Sequence, residues 1–431
     1  MCAARAAEPP RGPVPSCRGG GVTGPLADLH VVECASFVAG PTGGMTLAQL
    51  GADVVRIDPL GGGSDLHRWP VAPGGASYYW ASLNTGKRSV AVDMRSEEGS
   101  ELVLALITAP GPGRGILVDN VVGRRWMDPE RLRERRVDLI HLRLQGHPDG
   151  RPAVDYTVNA EAGVPTITGP EGLSAPVNHV FPAWDLAAGM TVAAGVLAAL
   201  HERDRTGRGR FLELALADVA LAGVANLGWL SEAADRGRER PRHGNHVYGS
   251  FGVDVECRDG TRVMVVALTP GQWTALQQVT GTTEVFGALA AALGADLDDE
   301  AERYRLRETI AAIIRPWFAD RDVARVSEEL DGARVLWGRY RRMPEIVAAH
   351  GAGNHPVLAD ITLPGGEQAI TARSPLRLDG DHGPVGRVPA LGRETAEVLA
   401  EALHLTSAEI GGLHQRGVID VAGNTGTGSE R

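Results

Sequence analysis

The stretch HVVECASFVAGPTGGMTLAQLGADVVRID, residues 30–58, decides the fold. HVVEC (30–34) and DVVRID (53–58) are short runs rich in β-branched residues and read as strands. Between them, SFVAGPTGG (36–44) reads as a glycine-rich turn and the following residues to Leu50 as a helix that Gly51 ends. Outward from this unit the alternation continues. SVAVD (89–93) reads as a strand, Ser96 as the N-cap of a helix, ILVDN (116–120) as a strand, Pro129 as the start of a charged helix, and DLIHLRL (138–144) as another strand. Such order calls for a doubly wound α/β domain, Rossmann-like, with a mostly parallel sheet covered by helices.

After Asp185, LAAGMTVAAGVLAALHER reads as a buried helix, and RTGRGRFLELAL (205–216) turns on Gly207 and Gly209 into a strand. A charged stretch, 232–250, precedes RVMVVAL (262–268), a strand, and an amphipathic helical region at 296–330. The expected organisation is an N-terminal extension without order (1–24), a large α/β domain (25–230), a smaller α+β domain (240–345), and a C-terminal segment (350–431) that returns to the first.

Composition narrows the function classes. A net charge of −10 argues against a general nucleic-acid binder, which needs a basic face. No apolar run is expected to reach the roughly 18 residues of a membrane span, since Gly189 and Gly195 interrupt 186–200. Cys2, Cys17, Cys34 and Cys257 have no metal-type spacing, so a reduced, cytoplasmic protein is the plain expectation.

Three places carry chemistry. The first turn, Val38–Gly44, opens a helix whose free N–H groups suit a phosphate or an amide, and Asp58 stands where a ribose-binding acid would sit in a dinucleotide fold. Pro41 removes a donor and the spacing is not G-x-G-x-x-G, so structural turn, ligand loop and NAD site all stay open. NTGKRS (84–89) offers adjacent cations, Lys87 and Arg88, that Arg95, Arg124 and Arg125 can extend into an anion patch; a solvated basic turn is the other reading. Asp185, in HVFPAWDLAAGM, is either an N-cap carboxylate or a nucleophile kept ionised by a helix N-terminus among apolar neighbours. His147 and His179 are candidates for proton transfer.

Taken together, residues 24–59, 83–99, 182–200 and 206–221 resemble the class III CoA-transferase family, which includes formyl-CoA transferase and α-methylacyl-CoA racemase. The resemblance implies that Asp185 is the nucleophile, and that Val38, Ala39, Arg88 and Asn120 line the CoA site with Arg95 and Arg125 nearby. Pro59 stands where formyl-CoA transferase has a CoA-contacting Arg. Racemases carry Gly-His-Asp where this chain has Ala153-Val154-Asp155, and a Glu where Thr269 stands, so racemase chemistry is disfavoured. The strings 153–165, 176–185, 244–252 and 335–343 narrow the resemblance to members that move CoA between the two carboxyl groups of one five-carbon unsaturated diacid. An intermolecular CoA-transferase is the alternative, followed by a racemase or a nucleotide-binding oxidoreductase. The resemblance further implies an acyl-CoA thioester of a small dicarboxylic acid as substrate, no cofactor beyond the CoA of that substrate, no metal, and an interlocked homodimer. His179 and Asn178 are expected to hold the free carboxylate, and backbone N–H groups near Gly249 the oxyanion.

Overall fold

The computed structural model describes residues 24–121 and 123–421, so the expected N-terminal extension lies outside the described residues apart from Gly24. The chain divides into two compact units. Among the described residues, the first comprises those up to 153, 183–219 and 356–421; the second comprises 154–182 and 220–355. The second therefore includes 154–182, a segment that the sequence placed in the large domain.

In the first unit, β1 (His30–Cys34), α1 (Ala39–Gln49), β2 (Asp53–Asp58), α2 (Tyr78–Leu83), β3 (Arg88–Val92), α3 (Glu97–Thr108), β4 (Ile116–Asp119), α4 (Pro129–Arg135) and β5 (Ile140–Gln145) follow one another. Local signals set several boundaries: the Ser96 hydroxyl accepts from Gly99 N–H at the head of α3, and Asp128 caps α4 ahead of Pro129. Helix α1 begins earlier than the glycines suggested. Gly40, Gly43 and Gly44 lie inside it, and Pro41 is in its first turn, where an N–H has no intrahelical partner to lose.

The second unit starts with α5 (Asp155–Glu161) and α6 (Val164–Ile167). The chain then re-enters the first unit as α7 (Ala183–Thr206) and β6 (Phe211–Ala215), and leaves it along α8 (Leu216–Asn226). Helix α9 (Trp229–Arg236), β7 (Phe251–Glu256), β8 (Arg262–Ala267), helices α10 (Pro270–Thr280), α11 (Thr283–Leu293), α12 (Glu300–Arg305), α13 (Arg307–Ala319) and α14 (Val323–Gly332), β9 (Leu336–Arg339) and α15 (Met343–Gly351) complete the second unit. Its antiparallel sheet, in order β7-β8-β9, buries Phe251, Val253, Val263 and Val265 against Trp273, Phe286, Ile310 and Phe318.

The C-terminal segment returns to the first unit with two hairpins, β10 (Leu358–Thr362) with β11 (Gln368–Ala372) and β12 (Arg377–Leu378) with β13 (Asp381–His382). It ends in α16 (Thr395–Leu403), α17 (Ser407–Gln415) and β14 (Ile419–Asp420). The main sheet runs β14-β3-β2-β1-β4-β5-β6, parallel except for β14. Strand order reverses between β1 and β4, and in a doubly wound sheet ligands bind in the crevice outside the carboxyl ends of the strands at that reversal.

Helix α7 also departs from expectation. It is long and apolar enough to pass the length and composition test for a membrane span, yet only 33% of that window is buried. Its buried stripe, including Ala188, Gly189, Val192 and Val196, belongs to the first unit, while Ala187, Met190, Thr191, Ala194 and Ala198 are exposed.

Candidate active site

At the reversal point the loop from β1 to α1 is braced from two sides. Asn120, just past β4, accepts from Ser36 N–H at 3.3 Å and donates to Ser36 O at 3.0 Å. Phe37 has φ of 70°, a left-handed conformation that a bulky residue adopts only at a cost of about 1–3 kcal/mol. Its N–H is held at 2.9 Å by Asp65 Oδ2. Asp65 is itself buried and bonded to Arg56. Backbone strain over-determined by its neighbours is characteristic of ligand-contacting loops, and Val38 and Ala39 follow directly at the mouth of α1.

Glycines set where the nucleophile candidate lies. A Cβ on Gly189 would stand 2.6 Å from Thr42 Cβ and 2.9 Å from Ala39 O, and one on Gly43 would stand 2.5 Å from Val192 Cγ1. Helices α1 and α7 thus approach to backbone distance and run the same way, each starting at the carboxyl edge of the sheet. Asp185 is in the first turn of α7, one turn before Gly189 and so about 6 Å further up the axis. Asp185 is therefore a half-buried carboxylate at the N-terminus of α7, where the helix dipole favours negative charge, one turn ahead of the contact that Gly189 makes with Ala39 and Thr42.

Beneath α1 lies a cluster of buried charges whose pairing the sequence does not disclose. Lys87 Nζ contacts Glu33 Oε1 and Oε2 at 2.9 Å each, Asn84 Oδ1 at 2.8 Å and Pro41 O at 2.9 Å. Gly44 makes room for this pair, since a Cβ there would collide with Glu33 Oε2. Burial pushes Lys87 down to about 8 despite the opposing pull of Glu33. Burial also disfavours the charge on Arg56, but Asp58, Glu33 and Asp65 together raise its pKa above the ordinary range.

Several expected ligand residues prove to be internally bonded. Asp58, the candidate ribose acid, is 1% exposed and accepts from Arg56 Nε at 2.8 Å and Ser89 Oγ at 2.7 Å. The NAD reading of the first turn loses its acid. Lys87 is enclosed rather than displayed on a basic turn. The Arg88 guanidinium meets Asp53, Glu397 and Glu401, so the phosphate-facing role expected for it runs against three carboxylates. Arg95 and Arg125 are exposed, and Arg124 donates to Met94 O at 2.8 Å.

In the second unit, His179 Nε2 is bonded to Asp155 Oδ1 at 2.5 Å, and Asn178 is held by Asn159 and Tyr156. Gly249 is half-buried with φ of 79° in the turn ahead of β7, and nothing stands within 4 Å of where its Cβ would be. Of the N–H groups expected to stabilise an oxyanion, those of Gly244, His246 and Val247 donate to Gly169 O, His243 O and Gly252 O. That leaves a narrower set in this loop for the role. Asp155 and Asn159 resemble ordinary polar residues near a helix start, and only their burial, at 1% and 0% exposure, distinguishes them.

A mostly parallel sheet with a strand-order reversal, a strained loop at that reversal and a carboxylate at the head of a glycine-packed helix defines a doubly wound α/β protein. Residues 26–395 match the model of CoA-transferase family III, and the chain belongs to that family. It is 46% identical over 400 residues to 2-methylfumaryl-CoA isomerase of Chloroflexus aurantiacus, covering 92% of this chain and 98% of that one. It is 30% identical to succinyl-CoA:mesaconate CoA-transferase of Haloarcula hispanica, covering 88% and 96%. Among solved structures, a CaiB/BaiF family protein from Brucella suis superposes with a TM-score of 0.70 at 26% identity, over 88% of this chain and 99% of the other. The protein is an enzyme of CoA transfer, and its substrates are CoA thioesters.

Proposed function

We propose that the enzyme converts 2-methylfumaryl-CoA (mesaconyl-C1-CoA) into 3-methylfumaryl-CoA (mesaconyl-C4-CoA) by moving CoA within one diacid, with Asp185 as nucleophile. What supports Asp185 as the nucleophile is its position in the first turn of α7, one turn before Gly189 packs on α1. The likeness to the Chloroflexus isomerase along almost its full length supports the substrate.

The Asp185 carboxylate attacks the C1 thioester carbonyl, forming an aspartyl anhydride and expelling the CoA thiolate. The thiolate attacks the aspartyl carbonyl, which frees the C1 carboxylate and leaves an aspartyl-CoA thioester. The diacid turns in place and its C4 carboxylate attacks that thioester, expelling the thiolate again and forming a second anhydride. Thiolate attack on C4 yields the product and regenerates the Asp185 carboxylate. Retaining both fragments makes each return step unimolecular, an advantage of about 7–11 kcal/mol when the geometry is optimal. The sequence reading has Val38, Ala39 and Asn120 lining the CoA site, and the brace that Asn120 gives Ser36 fits that role.

The acting form is a homodimer in the cytoplasm. In support, Met190 on α7 is 48% exposed, and within the second unit Leu221, Leu227 and Leu230 are exposed, apolar groups of the kind that associating proteins cover. The free, buried Cys34 and Cys257 suit a reducing compartment.

Mass-spectrometric detection of the C4 ester from mesaconyl-C1-CoA tests the activity, and Asp185→Ala should abolish turnover while CoA-ester binding persists. Label entering the ester from free labelled mesaconate would replace this reading with the intermolecular one, which the Haloarcula relative favours.

A further inference from the structure

The segment that follows β2 reaches over the loop leading into α1, and both lie in the first unit. Its own turns tie it down. Gly62 N–H donates to Pro59 O at 2.9 Å, Leu66 N–H to Gly63 O at 3.1 Å and Arg68 N–H to Asp65 O at 3.1 Å. From this segment two side chains reach Phe37. Asp65 Oδ2 accepts from the Phe37 N–H at 2.9 Å, and the Arg68 guanidinium lies 5.6 Å over the Phe37 ring and 5.2 Å over the Tyr79 ring.

Neutralising Arg56 does not require Asp65. Glu33, Asp58 and Asp65, each 1% exposed or less, share two cations, Arg56 and Lys87. Arg56 already has Asp58 Oδ1 at 2.8 Å and Asn84 Oδ1 at 3.1 Å, while the Asp65 oxygens stand further off, at 3.3 and 3.2 Å. An enclosed carboxylate in excess of the cations is costly unless hydrogen bonds offset it. Among the described residues, the nearest donor to Asp65 is the Phe37 N–H. Phe37 in turn needs a hold. At φ of 70° it occupies a region that bulky residues avoid and that glycine enters freely.

We infer that Asp65 is a positioning residue for CoA-thioester binding, which locks Phe37 in the left-handed turn that presents Val38 and Ala39. The inference rests on the reading of those two residues as the lining of the CoA site. Without the lock the loop takes its binding form only part of the time, and apparent affinity falls by that fraction.

Calorimetric titration of the full chain with free CoA tests this, because no acyl group moves and stoichiometry is read beside affinity. Asp65→Ala should weaken CoA binding about tenfold, since a strained residue released from its partner holds that form about a tenth of the time. In a Phe37→Gly background the same change should cost only about twofold, because glycine reaches the turn unaided. Equal losses in the two backgrounds would overturn the inference. So would fewer binding sites at unchanged affinity, which marks a residue needed only for folding. If Asp65→Ala fails to fold, the isosteric Asp65→Asn decides through the same comparison, its neutral amide being the weaker acceptor. It too should lose more beside Phe37 than beside glycine. Ala39→Phe tests the underlying reading. CoA binding that survives this bulky side chain would refute the loop as the CoA site, whereas binding lost there with equal Asp65→Ala losses would sink the inference alone.

Discussion

Replacing Gly189 with alanine places a methyl group 2.6 Å from Thr42 Cβ, 2.7 Å from Thr42 Cγ2 and 2.9 Å from Ala39 O. Ordinary carbon contacts lie at about 3.5–4.0 Å, and one obstacle is backbone, so α7 has to move away from α1 by about 1 Å. Overpacking of this kind costs about 1–3 kcal/mol, while alanine returns about 1 kcal/mol of helix propensity. The net loss of stability is then only about 0–2 kcal/mol, and the protein should fold. The displacement falls one turn from Asp185, where an error of about 1 Å can lower the rate on the order of 100-fold. Denaturation midpoints together with kcat for mesaconyl-C1-CoA separate the two effects. Gly195→Ala serves as control: its methyl group would meet the movable Leu142 Cδ1 at 3.0 Å, and activity should stay near that of the parent. A Gly189→Ala enzyme with unchanged kcat would show that the α1–α7 approach does not place the nucleophile.

Lys87→Ala leaves Glu33 only the more distant Arg56 guanidinium, at 3.7 Å, in a fully enclosed site and should cost about 3–5 kcal/mol. The paired change Glu33→Leu with Lys87→Met should recover most of that in urea unfolding, and failure to recover would show that the cluster needs its charges for more than mutual neutralisation. Asp53 is subject to burial, which opposes its charge, but His30 and Arg88 bring its pKa below 3.8. A depressed carboxylate adds stability above its unfolded pKa and loses it as pH falls through the folded value. Asp53→Asn should therefore lower the melting temperature at neutral pH and flatten its decline below about pH 4; parallel curves for the two proteins would contradict this.

What could be read from the sequence was what local chemistry determines. HVVEC, DVVRID and the Ser96 cap announced themselves because β-branched runs and a hydroxyl before acidic residues act within a few positions. Gly40, Gly43 and Gly44 misled, because a glycine needed for close helix contact looks the same as one needed for a turn. Only the neighbours met in the fold, Ala35, Val192 and Glu33, tell them apart. Lys87 and Arg88 read as an anion loop for the same reason: their carboxylates stand 54 residues away at Glu33 and 313 away at Glu401. Asp185 was singled out by its setting at the head of a small-residue helix together with the family resemblance, whereas Asp155 gave no local sign of burial.

The edge of the main sheet has a consequence for biosynthesis. Strand β3 offers its outer row of backbone groups to β14, which pairs at Val92↔Ile419, and Ser89 N–H is bound by Glu394, 305 residues later. During synthesis that row waits uncovered while about 300 residues are made, some 15–60 seconds at ordinary elongation rates. An open row of this kind is a template for pairing with another nascent chain. Truncation before Glu394, which removes both coverings, should leave it open for good, turning a folding interval into a lasting tendency to aggregate.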